Sequence, residues 1–218
     1  MVPSGIPSVF YTIYGVNLTS FPIMVYIDGS NLFHGIGDYY HQKGIKPKKI
    51  DYKKLLELVI DKRECLRANY YGSYHPSAPE VQMNFFTALE YMGFEVKKYP
   101  LKIPTHPERI KCPNCSNHFE DILCDSCKKT FKRYTPEEKG VDVGIAIDMI
   151  TQASKGIYGT AILIGGDKDH LGVVSAIKNE FGKRVEIVNF TNRTSVELQR
   201  KADKFVPLER YMGEIERN

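Results

Sequence analysis

The sequence predicts an α/β protein: a doubly wound parallel sheet carrying one small inserted element. Three observations lead there. Short apolar runs alternate with helical patterns; acidic residues stand just past three of those runs and helix starts; and two CxxC pairs crowd into the one stretch that shows neither pattern.

Taken in order, the run IMVYI at 23–27 reads as a strand, followed by a helical stretch from about Tyr52 to Glu64. The strand LRANYYGSY, a helix running from after Pro79 to Met92 and the strand FEVKKYPL complete a βαβαβ unit. After an interruption come a helix at 141–153, the strand TAILIG, a helix at 170–181 and the strand RVEIVNF. Gly93, Gly159 and Gly182 fall where helices hand over to strands. Alternation of this kind places a ligand crevice outside the carboxyl ends of the strands.

With 218 residues and 42% hydrophobic content, the chain can bury a full core, and its length favours one domain with an insertion. The expected organisation is an N-terminal extension at 1–22, a sheet domain at 23–208 interrupted by an insertion at 105–138, and a C-terminal tail at 209–218. The first 27 residues carry no charge, but Pro3, Pro7 and Pro22 break them and no cleavage motif follows. No apolar stretch approaches the ~20 residues that span a bilayer. A cytoplasmic location without membrane partners is therefore expected, and a homo-oligomer is compatible with the sequence.

Net charge is only +4, yet between Lys97 and Lys139 there are ten Lys or Arg against six Asp or Glu, a difference equal to the whole surplus. That stretch contains Cys112, Cys115, Cys124 and Cys127, as CPNC and CDSC eight residues apart. Two thiolate hooks at this spacing predict a tetrahedral Cys₄ zinc site, closed and hence structural. Two disulfides or a redox pair fit a reducing compartment less well. His106 and His118 are spare donors, and Cys65 is a small buried side chain. Lys111, Lys128, Lys129, Lys132 and Arg133 with Phe119, Phe131 and Tyr134 offer cations for phosphate and rings for bases; Phe119 and Phe131 are expected instead to form a miniature core.

Asp28, within YIDGSN, follows the first strand: it can face the crevice or cap the next helix, and Gly29 would permit a sharp turn there. Asp142 opens VDVGIAIDMI in a first helical turn, where the dipole favours a carboxylate. Asp148, six residues later, points away from it. At Gly165-Gly166-Asp167-Lys168-Asp169-His170 two acids follow the most apolar strand; the glycines would let backbone approach a ligand, and Asp169 could simply cap helix 170–181. Converged carboxylates require a hard cation between them, which points to divalent-metal chemistry on phosphate. A phosphatase of another α/β type is disfavoured, because Gly29-Ser30 stands where a second acid belongs.

The stretches YIDGSN, KGVDVGIAID, LIGGDKDHLGVVSAIKNEFGKRVEIV and SVELQRKADKFVPL resemble the NYN domain, a branch of the PIN-like metal-dependent nucleases, and specifically its LabA-like group. The resemblance covers most of residues 23–208. It implies RNA cleavage at a Mg²⁺ or Mn²⁺ site with Asp28, Asp142 and Asp167 as principal acids and Asp169 as a fourth. It also places Ser30 and Asn31 as polar active-site residues and Lys139 as a basic one, all candidate substrate contacts; Lys168 could contact substrate phosphate or pair with Asp169 and weaken metal binding. Lys168 stands where the family usually has serine and His170 where it has an aromatic. Two functions follow as expectations: a metal-dependent endoribonuclease whose zinc insertion helps choose substrate, or a noncatalytic RNA-binding adaptor on a degenerate nuclease fold. Phosphate contacts carry no sugar preference, so DNA stays in the substrate class beside RNA.

Overall fold

The computed structural model describes residues 22–77 and 80–217; the expected extension at 1–22 lies outside them except for Pro22. Six parallel strands form the central sheet: β1 (Ile23–Asp28), β2 (Cys65–Tyr74), β3 (Phe94–Pro100), β8 (Thr160–Ile164), β9 (Arg184–Asn189) and β10 (Lys204–Pro207). Their spatial order is β10-β9-β8-β1-β2-β3. The chain builds outward from β1 to β3, then returns to β1's other side with β8 and builds outward again. The order therefore reverses between β1 and β8, where a crevice opens at the carboxyl ends.

Residue alternation in the central strands explains the two helical layers. Ile23, Val25 and Ile27 of β1 join one core with Ile162 and Ile164 of β8, whereas Met24 and Tyr26 join the other with Ala161 and Leu163. Helices α1 (Gly29–Gln42), α2 (Tyr52–Ile60) and α3 (Glu80–Tyr91) cover the first face through Leu32, Ile36, Leu55, Val59, Phe86 and Leu89. Helices α4 (Val141–Ser154), α5 (Leu171–Asn179) and α6 (Val196–Lys201) cover the second through Ile145, Met149, Val174, Ile177 and Leu198. Strands buried on both sides are apolar throughout, which is why these runs were readable.

Three features depart from the sequence reading. Helix α1 fills a stretch directly after β1 to which the sequence reading assigns no element; its buried stripe, Leu32, Ile36 and Tyr40, has helical spacing despite Gly29, Gly35 and Gly37. Helix α2 stops at Ile60, because Asp61 and Lys62 adopt positive φ. The segment expected as a tail from 209 packs: α7 (Met212–Ile215) buries Met212 and Ile215, and Glu216 accepts the Tyr40 hydroxyl at 2.7 Å.

The insertion consists of two hairpins, β4 (Ile110–Lys111) with β5 (His118–Phe119) and β6 (Asp121–Leu123) with β7 (Thr130–Lys132). Its neck closes where Lys102 and Glu137 exchange backbone hydrogen bonds. Glu120, between the hairpins, pairs with both Arg109 and Lys132. Phe119 and Phe131 are about half exposed, so they do not form a miniature core; so little chain cannot enclose two rings.

Candidate metal centre and its surroundings

Asp28 ends β1 at the reversal point and is only 4% exposed. Its Oδ1 accepts the Asn31 N–H at 2.9 Å, so it caps α1. Burial pushes its carboxyl up to about 6, with repulsion from Asp142 and Glu138 adding to the rise and the Asn31 amide opposing it. Gly29 makes no sharp turn. It is the first residue of α1, where a Cβ would meet the Tyr70 hydroxyl at 2.3 Å, so it serves close packing of α1 on β2.

Asp142 lies in the first turn of α4, whose N-cap, Gly140, has φ of +87°, a conformation that favours glycine. From there its Oδ1 reaches within 3.5 Å of Nε2 of His170. His170 ends a 3₁₀ turn, Lys168–His170, and is 1% exposed; its Nε2 has no hydrogen-bond partner. Burial holds the imidazole pKa below its usual value, against the pull of Asp142, Asp167 and Asp169. Among the described residues, Asp28, Asp142 and His170 form a group whose ligand atoms all lie within 4.8 Å of one another.

Asp167 and Asp169 stay outside this group, which corrects the expectation that three or four acids share one ion directly. The reason is local. Oδ1 of Asp167 accepts the Asp169 N–H at 3.0 Å, capping the 3₁₀ turn, and the turn directs His170 inward while Asp167, Lys168 and Asp169 remain exposed. Asp169 is thus not the cap of α5. The chain after β8 also makes its close approach to protein: a Cβ on Gly166 would meet the Arg193 carbonyl oxygen at 2.2 Å.

The polar residues divide similarly. Asn31 Oδ1 accepts from Asn189 Nδ2 at 2.9 Å, and Asn31, Asp167 and Lys168 line a shallow cavity with Arg193 and Ser195. Ser30 sits half-buried in the first turn of α1. Lys139 is exposed and pairs with Glu137 at 3.0 Å. Lys168 forms no ion pair with Asp169 among the described residues. Asp148 points away from the site as expected, accepting the Tyr71 hydroxyl at 2.5 Å and pairing with Lys97.

Sequence reasoning missed Glu138 and Asn189. Glu138 directly precedes the KGVD stretch; Asn189, fully buried, occupies the same strand-end position on β9 that Asp28 holds on β1.

The cysteines form two hooks at the hairpin turns. Amides of Cys115 and Asn114 face the Cys112 sulfur, and those of Cys127 and Ser126 face Cys124, lowering both thiol pKa values below the ordinary range. Ser116 and Lys128 adopt positive φ to make the turns. No third Cys, His or acid joins either pair within 4.8 Å among the described residues, so the structure presents separate hooks where the sequence predicts one gathered tetrad. All four thiols are free.

A six-stranded parallel sheet flanked by helices, with carboxylates at its reversal point, is consistent with the α/β fold of PIN-like nucleases. The chain belongs to the NYN domain family, a branch of that superfamily: the family model, NYN domain, matches residues 22–209. Its class of function is accordingly nuclease-type and RNA-related. Among solved structures, a protein of unknown function, VPA0982 from Vibrio parahaemolyticus RIMD 2210633, is similar at 22% identity and a TM-score of 0.56, covering 87% of this chain and 93% of that one. A structure described as Sir2Tm bound to a propionylated peptide aligns at 16% identity and a TM-score of 0.39 over 88% and 92% of the two chains. No curated protein matches. Among the described residues, no helix is long and apolar enough to cross a membrane.

Proposed function

We propose that the protein is a divalent-metal-dependent endoribonuclease of the LabA-like group. The observation that carries this reading is the meeting of Asp28, Asp142 and His170 at the reversal point of the sheet. Two carboxylates and an unpartnered buried nitrogen fit a cation: it would offset their mutual repulsion and the desolvation that raises Asp28. Asp28 and Asp142 would hold Mg²⁺ or Mn²⁺ directly, with Asp167 and Asp169 acting through water. When bound, the ion supplies Lewis acidity toward a phosphodiester and lowers the pKa of a coordinated water.

The chain's own groups then position the substrate. Ser30 and Asn31 lie in the first turn of α1, Asn31 and Lys168 line the same shallow cavity, where Lys168 would approach a backbone phosphate, and Lys139 lies next to the glycine that opens α4. The two hooks Cys112/Cys115 and Cys124/Cys127 would bind one Zn²⁺ by drawing the hairpins together, metal binding supplying the folding free energy that this small element lacks. Half-exposed Phe119, Phe131 and Tyr134 beside Lys128, Lys129 and Lys132 suit single-stranded RNA, through stacking and phosphate contacts. We place the protein in the cytoplasm, where thiols stay reduced.

The test is cleavage of end-labelled RNA, and of DNA of the same sequence, with Mg²⁺ or Mn²⁺. Cleavage should vanish in a double variant, Asp28→Asn with Asp142→Asn. Activity that survives it would refute the assignment, and RNA binding without cleavage by either metal would favour the adaptor.

A further inference from the structure

We infer that His170 is itself a metal ligand, and that it makes this centre selective for first-row transition dications over Mg²⁺. The inference rests on the reading of Asp28 and Asp142 as ion ligands and concerns which ion they share. Its first support is position: Nε2 is 3.5 Å from Asp142 Oδ1 and belongs to the group of atoms mutually within 4.8 Å that includes Asp28. The second is independent of the acids. This nitrogen is buried without a hydrogen-bond partner, although buried polar atoms are normally paired. A nitrogen kept dry and unpaired beside two carboxylates has the surroundings of a ligand.

The chemistry of the donor set then decides the ion. Mg²⁺ demands near-octahedral oxygen coordination and gives up its waters reluctantly, whereas imidazole nitrogen favours transition ions. An imidazole beside two carboxylates therefore shifts the preference from Mg²⁺ toward transition dications, least for Mn²⁺ and more for Co²⁺. The backbone supports the imidazole's placement: His170 N–H donates to the Asp167 carbonyl at 3.2 Å, and the Asp167 side chain caps the same turn. Asp167 is thus a positioning residue for the nitrogen.

The experiment uses the full chain given one equivalent of Zn²⁺, for which four thiolates compete better than the carboxylate centre. Mn²⁺ and Mg²⁺ affinities are measured by titration for the wild type and for His170→Phe, and the Mn²⁺ complex is examined by pulsed EPR for coupling to nitrogen. The expected result is ¹⁴N coupling in the wild type and a Mn²⁺ preference on the order of tenfold or more, which His170→Phe reduces to near parity. The spectrum of the wild type stands alone if the variant fails to fold. Mn²⁺ bound without nitrogen coupling, or an unchanged preference in a folded variant, overturns the inference. Mg²⁺-driven RNA cleavage together with absent nitrogen coupling would sink the role of His170 yet leave the nuclease reading standing, whereas loss of all Asp28-dependent metal binding would sink both.

Discussion

The carboxamide of Asn189, the last residue of β9, donates to Asn31 Oδ1 at 2.9 Å, tying the strand beyond β8 to the first turn of α1. Asn189 is fully buried and also reaches the Arg193 carbonyl at 3.4 Å. It thereby holds the residue three places after Asp28, whose own carboxylate accepts the Asn31 amide.

Asn189→Leu keeps the volume but removes the donor. The prediction is a stability loss of about 1–3 kcal/mol from the Asn31 acceptor left without its partner, read by urea denaturation. Metal affinity should change little, because Asn31 is not among the ligand atoms, while cleavage falls through misplaced substrate. Equal losses in metal affinity and cleavage would contradict this division.

Asp28 is predicted to destabilise the protein when no divalent cation is present. Its folded pKa is raised from the ordinary 3.8 to about 6. Below pH ~4 the group is protonated in both folded and unfolded chains, so it imposes no penalty. As pH rises through 6 the folded chain must bury a charge, and stability falls by roughly 3 kcal/mol. Asp28→Asn preserves the cap on α1 and removes the charge, so it should be more stable than wild type at pH 7.5 and show little difference at pH 4. Urea midpoints at both pH values measure this; saturating Mn²⁺ should then stabilise the wild type and not the variant.

Residue chemistry explains what was legible. β1, β8 and β9 announce themselves as apolar runs because both their faces are buried. β10 does not, being four residues ending in Pro207 at the sheet edge. α1 is obscured by three glycines in GSNLFHGIGDYYHQ, and the Asp28 cap and packing on β2 and Phe190 support it. The approach of Asp28 to Asp142 is legible because a strand end and a helix start fix where they lie. Asp167 and His170 are not, since which of them faces inward depends on a 3₁₀ turn whose rotation no spacing rule records. The pairing of thiols within each hook is legible from the CxxC spacing, whereas how the two hooks approach one another is not.

Loss of zinc from the four thiols should unfold the insertion alone. The hairpins at 110–132 are joined to the sheet domain through the Lys102–Glu137 neck, and their side chains leave Phe119, Phe131 and Leu123 about half exposed. Cys112→Ser with Cys124→Ser is predicted to collapse amide resonances of residues 105–138 while leaving those of β1, β8 and β9 in place. Zinc content, measured by mass spectrometry, should fall from one equivalent to near zero. RNA affinity should drop more than Asp28-dependent metal binding; a global loss of sheet resonances would show the hooks to be part of the main folding unit.

Asp167 separates capping from coordination, because an amide keeps the first function and forfeits most of the second. In the structure its Oδ1 accepts the Asp169 N–H and its backbone carbonyl accepts from His170, so the side chain sets the turn that carries the imidazole. Asp167→Asn retains that acceptor and should leave Mn²⁺ affinity within about threefold of wild type, at reduced cleavage if the carboxylate acts through water. Asp167→Ala removes the cap, frees the 3₁₀ turn and should weaken Mn²⁺ binding by about tenfold or more through His170. A direct ligand would behave otherwise: both substitutions would then weaken the metal equally, and titration calorimetry on the pair distinguishes the two cases.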